Sequence, residues 1–583
     1  MEMRGRKLLV EHLKSHLPLY AVGVLSLAAA NVIHSFFPRV LGSFTDELQM
    51  NGLSERAIVA YSLALLGIGA GYAALFGGGQ YLNHRLGRIF EFNTRERLFR
   101  HFTRLSERYF SQNGIGKLLS YVMNDVTTVR ESIANGLNQL TSAVILLVSV
   151  VAMLISSDIP LYFVAVCVVP LLTIPFLVVH FGPRIRQRSR LVQESLAAMT
   201  EAAEEQFGGI RVTKTFAVEP IARKRFDRTV DRIRENQLQL VKTTSMFQAA
   251  LPFVGALSLI VAIVYGGYLT VHGRMTLGNF VATTLYLRMI ATPLQQIGNV
   301  INTMQRSRAS LDRLNQLLAV KPDIREAEGA VPLDPEDAGI EIRGLTFTYP
   351  EAGRRSLEDI NITVRPGQTV GIVGKTGSGK TTLVKLLLRV YDPPRGTVLI
   401  GGRDIRDLTL ESLRSSIAYV PQSGFLFSTT IRDNIAFSDR RADIGRVERA
   451  AVLADIYGNI MDFPDRFDTK LGERGLTLSG GQRQRTSLAR GLMKDAPILI
   501  LDDSVSAVDA VTETNIIANL RRERKGKTTI LIAHRISALK HADEIVVLDD
   551  GRVVERGTHE QLLRQGGYYA SLCAIQEEGD SHG

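Results

Sequence analysis

The run Gly374, Lys375, Thr376, Gly377, Ser378, Gly379, Lys380, Thr381 has the composition and spacing of a loop that grips phosphate. Glycines let successive backbone N–H groups close around phosphate oxygens, and a helix N-terminus adds favourable potential for an anion. Lys380 is placed to reach the outer phosphates of a nucleotide, and Thr381 to ligate Mg2+. The β-rich Thr369–Val373 precedes the loop and the helical Thr382–Val390 follows it. Strand, glycine loop and helix in that order separate a P-loop from an ordinary glycine-rich turn. Farther along, Ile498–Asp502 reads as an apolar strand ending in an acid. In a parallel sheet that sets the Asp502 carboxylate at the strand's C-terminal edge, beside the P-loop, where it fits the Mg2+-holding acid of a nucleotide hydrolase. Such a strand is common, so this assignment draws its weight from the P-loop.

The elements that hold these residues occupy less than half of the chain. At 583 residues, 45% apolar and 22% charged, two or more domains are expected and a disordered or fibrous chain is excluded. Two distant cysteines, Cys167 and Cys573, provide neither a disulfide scaffold nor a thiolate metal site. The mean hydropathy of +0.07 averages two unlike parts. Residues 1–320 hold 33 Lys and Arg against 20 Asp and Glu, leaving 36 bases and 38 acids for the remainder. The positive excess therefore sits with the long apolar runs, which argues for a membrane face and against a nucleic-acid partner.

Six stretches are free of charge for long enough to cross a bilayer, the last with one exception: Ser15–Pro38, Ala57–His84, Ser132–Ser157, Ile159–Pro183, Thr243–Gly273, and Met275–Gln305, which contains Arg288. About 20 apolar residues suffice for one span. A buried soluble helix would keep a polar face, and Ala143–Ile155 has none. The first run leads into a multi-span pattern, so no cleaved signal is expected. With the N-terminus cytoplasmic, the outer loops (39–56, around Asp158 and around Arg274) hold only Arg39, Arg56 and Arg274, and 29 bases face inward. The charge rule thus predicts that the N-terminus and the second domain share the cytoplasmic side of a cell membrane.

The inner connections, 85–131 and 184–242, are long and rich in helix formers, so the membrane helices should project into the cytoplasm. Breaks at Asn113–Gly116 and Gly208–Gly209 allow either hairpin turns or short transverse elements that dock on another domain. The predicted layout is residues 1–320 as a membrane domain, 321–339 as a Pro- and acid-rich linker, and 340–583 as the nucleotide-binding domain.

Leu478-Ser479-Gly480-Gly481-Gln482, just before the Asp502 strand, resembles the signature of ATP-binding cassette (ABC) transporters. The resemblance covers nearly the whole chain and makes it similar to a half-transporter of the ABC exporters. It implies a six-helix all-α transmembrane domain followed by an α/β P-loop ABC ATPase domain, with ATP and Mg2+ as ligands. By the same resemblance Tyr349 stacks on adenine, and Gln422 ligates Mg2+ and couples the γ-phosphate to the membrane domain. Glu473-Arg474-Gly475 is the exporter loop, Ser506–Asp509 the D-loop, and His534 the switch histidine. Ser479–Gln482 would serve a nucleotide across a dimer, so the chain must pair. Asn113–Asp125 and Phe207–Thr215 are the expected docking elements.

One position departs from the family. Asp503 stands where a Glu normally polarises or orients the attacking water, and the side chain is one methylene shorter. A misplacement of about 1 Å can cost roughly 100-fold in rate. Asp503 with an intact signature predicts a heterodimer. This chain's own site would hold ATP and hydrolyse it slowly, and its signature would complete a partner site carrying Glu. A homodimer with slow, competent sites is the alternative. From other classes come an ATP-gated channel on the same scaffold and a soluble chromosome-associated ATPase, which has no use for six apolar spans. The expected cargo is a small hydrophobic or amphipathic molecule, drug-like or lipid-like.

Overall fold

The computed structural model describes residues 7–581, apart from 53, 158, 351, 352, 354, 473, 474, 476 and 477. Glu473 and Arg474 of the predicted exporter loop, and Asp158 in a predicted outer loop, lie outside the described residues. The chain divides into two compact units, one of residues up to Arg104 with Phe110–Lys321, the other of Leu105–Tyr109 with the chain from Pro322 onward.

Among the described residues, the regular structure of the first unit is all helical. Five helical stretches among them, Leu17–Met50, Glu55–Phe102, Ile115–Ser156, Leu161–Gly208 and Glu219–Val271, are long and apolar enough to cross a membrane. The sixth predicted span falls in Leu277–Ala319, a 43-residue helix that is long enough but less apolar than those five. The predicted outer loop 39–56 is mostly helix, because charge ends an apolar run without ending a helix. The helix Phe37–Asn51 continues through it, and its acids find partners. Asp46 accepts from the Gly278 N–H at 2.6 Å, and Glu47 from the Tyr61 hydroxyl at 2.7 Å. Ser54 then caps Glu55–Phe102, accepting from the Ala57 N–H.

The inner connections are helical extensions, as their composition predicts. Thr173–Gly208 and Glu219–Val271 run through 36 and 53 residues, with the short helix Ile210–Thr215 between them. The break at Asn113–Gly116 centres on Gly114, whose φ of 71° suits glycine. Buried polar groups lock the first extension. Glu91 meets Arg88, Arg95 and Arg130, while Asp125 pairs with Arg313 and accepts from Ser310.

Among the described residues, the second unit carries two sheets. β1 (Ile340–Phe347), β2 (Leu357–Val364), β4 (Val398–Ile400) and β5 (Arg403–Asp404) form an antiparallel sheet in the order β2-β1-β4-β5. The larger sheet runs β10-β9-β3-β8-β7-β6, from β3 (Thr369–Gly374), β6 (Ile417–Val420), β7 (Ile498–Asp502), β8 (Thr528–Ile532), β9 (Glu544–Asp549) and β10 (Arg552–Gly557). All its pairings are parallel except β9 with β10. β7 and β8 are buried along their whole length, in keeping with the apolar runs Ile498–Leu501 and Ile530–Ile532 within them. The predicted docking elements both fall in the first unit. The five residues that group with the second are Leu105–Tyr109, where Glu107 pairs with Lys385 at 2.8 Å.

Candidate functional site

β3 delivers the chain to Gly374, and the helix Lys380–Leu387 leaves from Gly379. Both glycines are dictated by space. A Cβ on Gly374 would lie 2.0 Å from the Leu548 carbonyl oxygen, and one on Gly379 would lie 2.6 Å from the Leu357 side chain. Lys380 is buried, and its Nζ donates to the carbonyls of Gly374 and Lys375 at 2.7 and 2.8 Å. Burial lowers its pKa, and the facing Asp502 and Asp503 work against that shift.

A cavity of about 710 Å3 opens over this loop, bounded by Lys375, Thr376, Gly377, Ser378, Gly379, Lys380, Thr381 and Thr382. Gln422, Asp502, Asp503 and His534 line it from the other side, so residues far apart in sequence meet at the C-terminal edge of the parallel strands. Asp502 lies one strand farther from the P-loop than direct adjacency, because β8 runs between β3 and β7. Thr381 and Asp502 nevertheless line the same cavity, and the Tyr419 hydroxyl donates to the Asp502 carboxylate at 3.4 Å. Burial holds the Asp502 pKa above the ordinary carboxylate range, outweighing the lowering influence of nearby Thr381.

Tyr349 and Ser479, Gly480, Gly481 and Gln482 do not line the cavity. The Tyr349 hydroxyl donates to Thr382 at 3.1 Å, and its ring packs edge-on against Phe347 and Tyr391. Ser479 and Gln482 form a capping box on the helix Gly480–Met493, each side chain bonding the other's backbone. Asp509 likewise caps Ala510–Glu523. Sequence reasoning missed Arg355, Ser356 and the turn Asp549–Gly551, which complete the cavity wall. An Asp-Gly pair between two β-rich runs is a hairpin signal that could have found that turn.

Asp503 is held on every side. Its backbone sits in the left-handed region at φ 49°, which Asp tolerates better than most residues. The amide donates to Ile532 O at 2.9 Å, and the carbonyl accepts from Gln484 Nε2 at 2.8 Å and Ser506 Oγ at 3.0 Å. The Gln422 amide donates to the carboxylate at 3.1 Å.

A glycine cradle closed to side chains, a buried ammonium beneath it and a Thr–Asp pair beside it suit a nucleoside triphosphate with Mg2+. Fold and site together define a P-loop ATPase joined to a helical membrane domain. The family described as "ABC transporter transmembrane region" matches residues 20–294, and "ABC transporter" matches 357–506. The chain is 35% identical over 568 residues to the probable multidrug resistance ABC transporter ATP-binding/permease protein YheI of Bacillus subtilis (strain 168), covering 96% of this chain and 95% of that one. It is 33% identical over 578 residues to the ATP-dependent lipid A-core flippase of Syntrophus aciditrophicus (strain SB), covering 99% and 95%. A solved bacterial Atm1-family ABC exporter with ATP bound superposes with a TM-score of 0.79 at 26% identity, over 97% of this chain and 98% of that one. The chain belongs to the ABC transporter family. It is an exporter of the type that fuses its transmembrane and ATP-hydrolysing domains in one polypeptide.

Proposed function

We propose that the chain is one subunit of a heterodimeric exporter that moves hydrophobic or amphipathic molecules across the cell membrane by alternating access, with slow hydrolysis at its own ATP site. The pinned Asp503 carries this reading. Three backbone hydrogen bonds oppose the shift that would restore the missing methylene of reach, and Gln422 engages the carboxylate. Within this reading the P-loop from Gly374 to Thr382 holds the phosphates, Tyr349 faces the base, and Thr381, Gln422 and Asp502 hold Mg2+. The metal's contribution is to neutralise charge on the phosphates. Asp503 and His534 face the γ-phosphate, while Ser479–Gln482 serve the partner's nucleotide.

The charge asymmetry of residues 1–320 supports an N-terminus and ATPase domain on the cytoplasmic side. The names of the relatives, multidrug resistance and lipid A-core flippase, support a drug-like or lipid-like cargo. A homodimer with slow, competent sites is favoured by one observation: the Asp503 carboxylate still lines the same cavity as Lys380 and His534. Purifying the tagged chain from its native membrane and identifying what accompanies it tests the reading. A second, different half-transporter with Glu after its strand-ending Asp is expected, and this chain alone in stoichiometric dimers would overturn it.

A further inference from the structure

His534 leaves β8 and enters the four-residue helix Ile536–Leu539, whose first position is preceded by Arg535. Arginine has no acceptor, so the side chain at this N-cap satisfies none of the first N–H groups of the helix. Gln576, forty residues later, takes the one at Ile536. Its Oε1 accepts from Ile536 N at 2.9 Å, and its Nε2 donates to the His534 carbonyl at 2.7 Å. One amide thus bonds the backbone of the histidine and that of the residue two positions beyond it. The intervening Arg535 is tied from another direction, donating to the buried Glu513 at 2.7 Å.

Gln576 is held in place by its own helix, Tyr568–Ser581. Tyr569, Cys573 and Gln576 stand at i, i+4 and i+7 on one face. Tyr569 is fully buried and its hydroxyl meets His559 Nδ1 at 2.8 Å, while Cys573 is buried in the same core. Glu555 accepts from the N–H groups of Tyr568 and Tyr569 and so caps the helix start. The Tyr568 ring lies 5.2 Å from Lys375 Nζ of the P-loop. The C-terminal helix therefore touches the P-loop at one end and the His534 segment about 12 Å farther along.

We infer that Gln576 is a positioning residue for ATP hydrolysis: the C-terminal helix uses its amide to fix the backbone around His534, and hence the imidazole, against the nucleotide site. This rests on His534 facing the γ-phosphate. The P-loop itself does not depend on Gln576, so nucleotide affinity is independent of it.

The full chain in lipid nanodiscs is compared with Gln576→Leu, His534→Ala and the double variant. Three readouts are taken: backbone hydrogen exchange of the peptide containing Ile536, ATP affinity, and the single-turnover conversion of bound ATP to ADP. Gln576→Leu should speed exchange at Ile536 and slow conversion, each roughly tenfold, with ATP affinity unchanged. The double variant should convert no more slowly than His534→Ala alone, since both changes remove one function. Effects that multiply in the double variant, or unchanged exchange at Ile536, would overturn the inference. A slow His534→Ala beside an unimpaired Gln576→Leu would sink the inference alone, whereas an unimpaired His534→Ala would remove the reading of His534 as well.

Discussion

In the wall of the nucleotide cavity the Gln422 amide donates to the Asp503 carboxylate at 3.1 Å. Gln422 leaves β6 and Asp503 follows β7, neighbouring parallel strands, so this bond ties the ends of two elements at the cavity. A longer Glu at 503 would extend past the place where Gln422 now holds the shorter acid. Gln422→Ala should therefore free the Asp503 carboxylate and, by removing a Mg2+ ligand of the proposed site, lower ATP hydrolysis by roughly tenfold or more. A phosphate-release assay checks this.

Lys380→Ala should weaken ATP binding at this chain's own site by about 2–4 kcal/mol, because the phosphates lose a buried cation. Photolabelling of the subunit with an azido-nucleotide, with the partner site blocked, is the measurement. Undiminished labelling would refute the site.

Asp502 should make Mg2+ binding sensitive to pH. Its folded pKa is raised by burial, so it takes up a proton at higher pH than an ordinary carboxylate. The charged form that Mg2+ needs is present above that raised pKa and is lost as pH falls through it. Apparent Mg2+ affinity, followed by titration in the presence of a non-hydrolysable ATP analogue, should decline on acidification in the wild type. Asp502→Asn should bind Mg2+ weakly at every pH.

Glu91→Ala should destabilise the membrane unit by about 3 kcal/mol, since it leaves the mostly buried Arg130 without its buried carboxylate. Thermal unfolding of the purified chain in detergent should show a lower melting temperature, while ATP affinity stays unchanged.

Arg288 stands exposed on the Leu277–Ala319 helix beside the buried Tyr286 and Leu287. A cation within an apolar span ordinarily faces a cavity or a partner. Arg288→Ala should shift transport preference away from anionic amphiphiles and leave basal ATPase activity intact, as read by reconstituted transport over a panel of charged and neutral substrates.

Much of this architecture was legible in the chain. The P-loop could be read because glycine, lysine and threonine spacing is fixed by contact with phosphate, and Gly374 and Gly379 have no room for a side chain. The apolar runs gave the membrane helices, yet they could not give helix ends: Phe37–Asn51 continues through charged residues because Asp46 and Glu47 find partners on other helices. The cavity wall at Asp549–Gly551 escaped notice because its role depends on a hairpin folding back over the site. Gln576 was invisible for a similar reason, since its partners lie forty residues upstream and are backbone atoms.

Steady-state ATP hydrolysis by the purified chain alone, in lipid nanodiscs, compared with Asp503→Glu and Asp503→Ala, decides whether the shortened acid limits turnover. Slow turnover is expected in the wild type, with little further loss in Asp503→Ala and a gain of roughly tenfold or more in Asp503→Glu. Vigorous wild-type hydrolysis that Asp503→Ala abolishes would show that the shortened acid is a fully competent base, and would contradict this expectation.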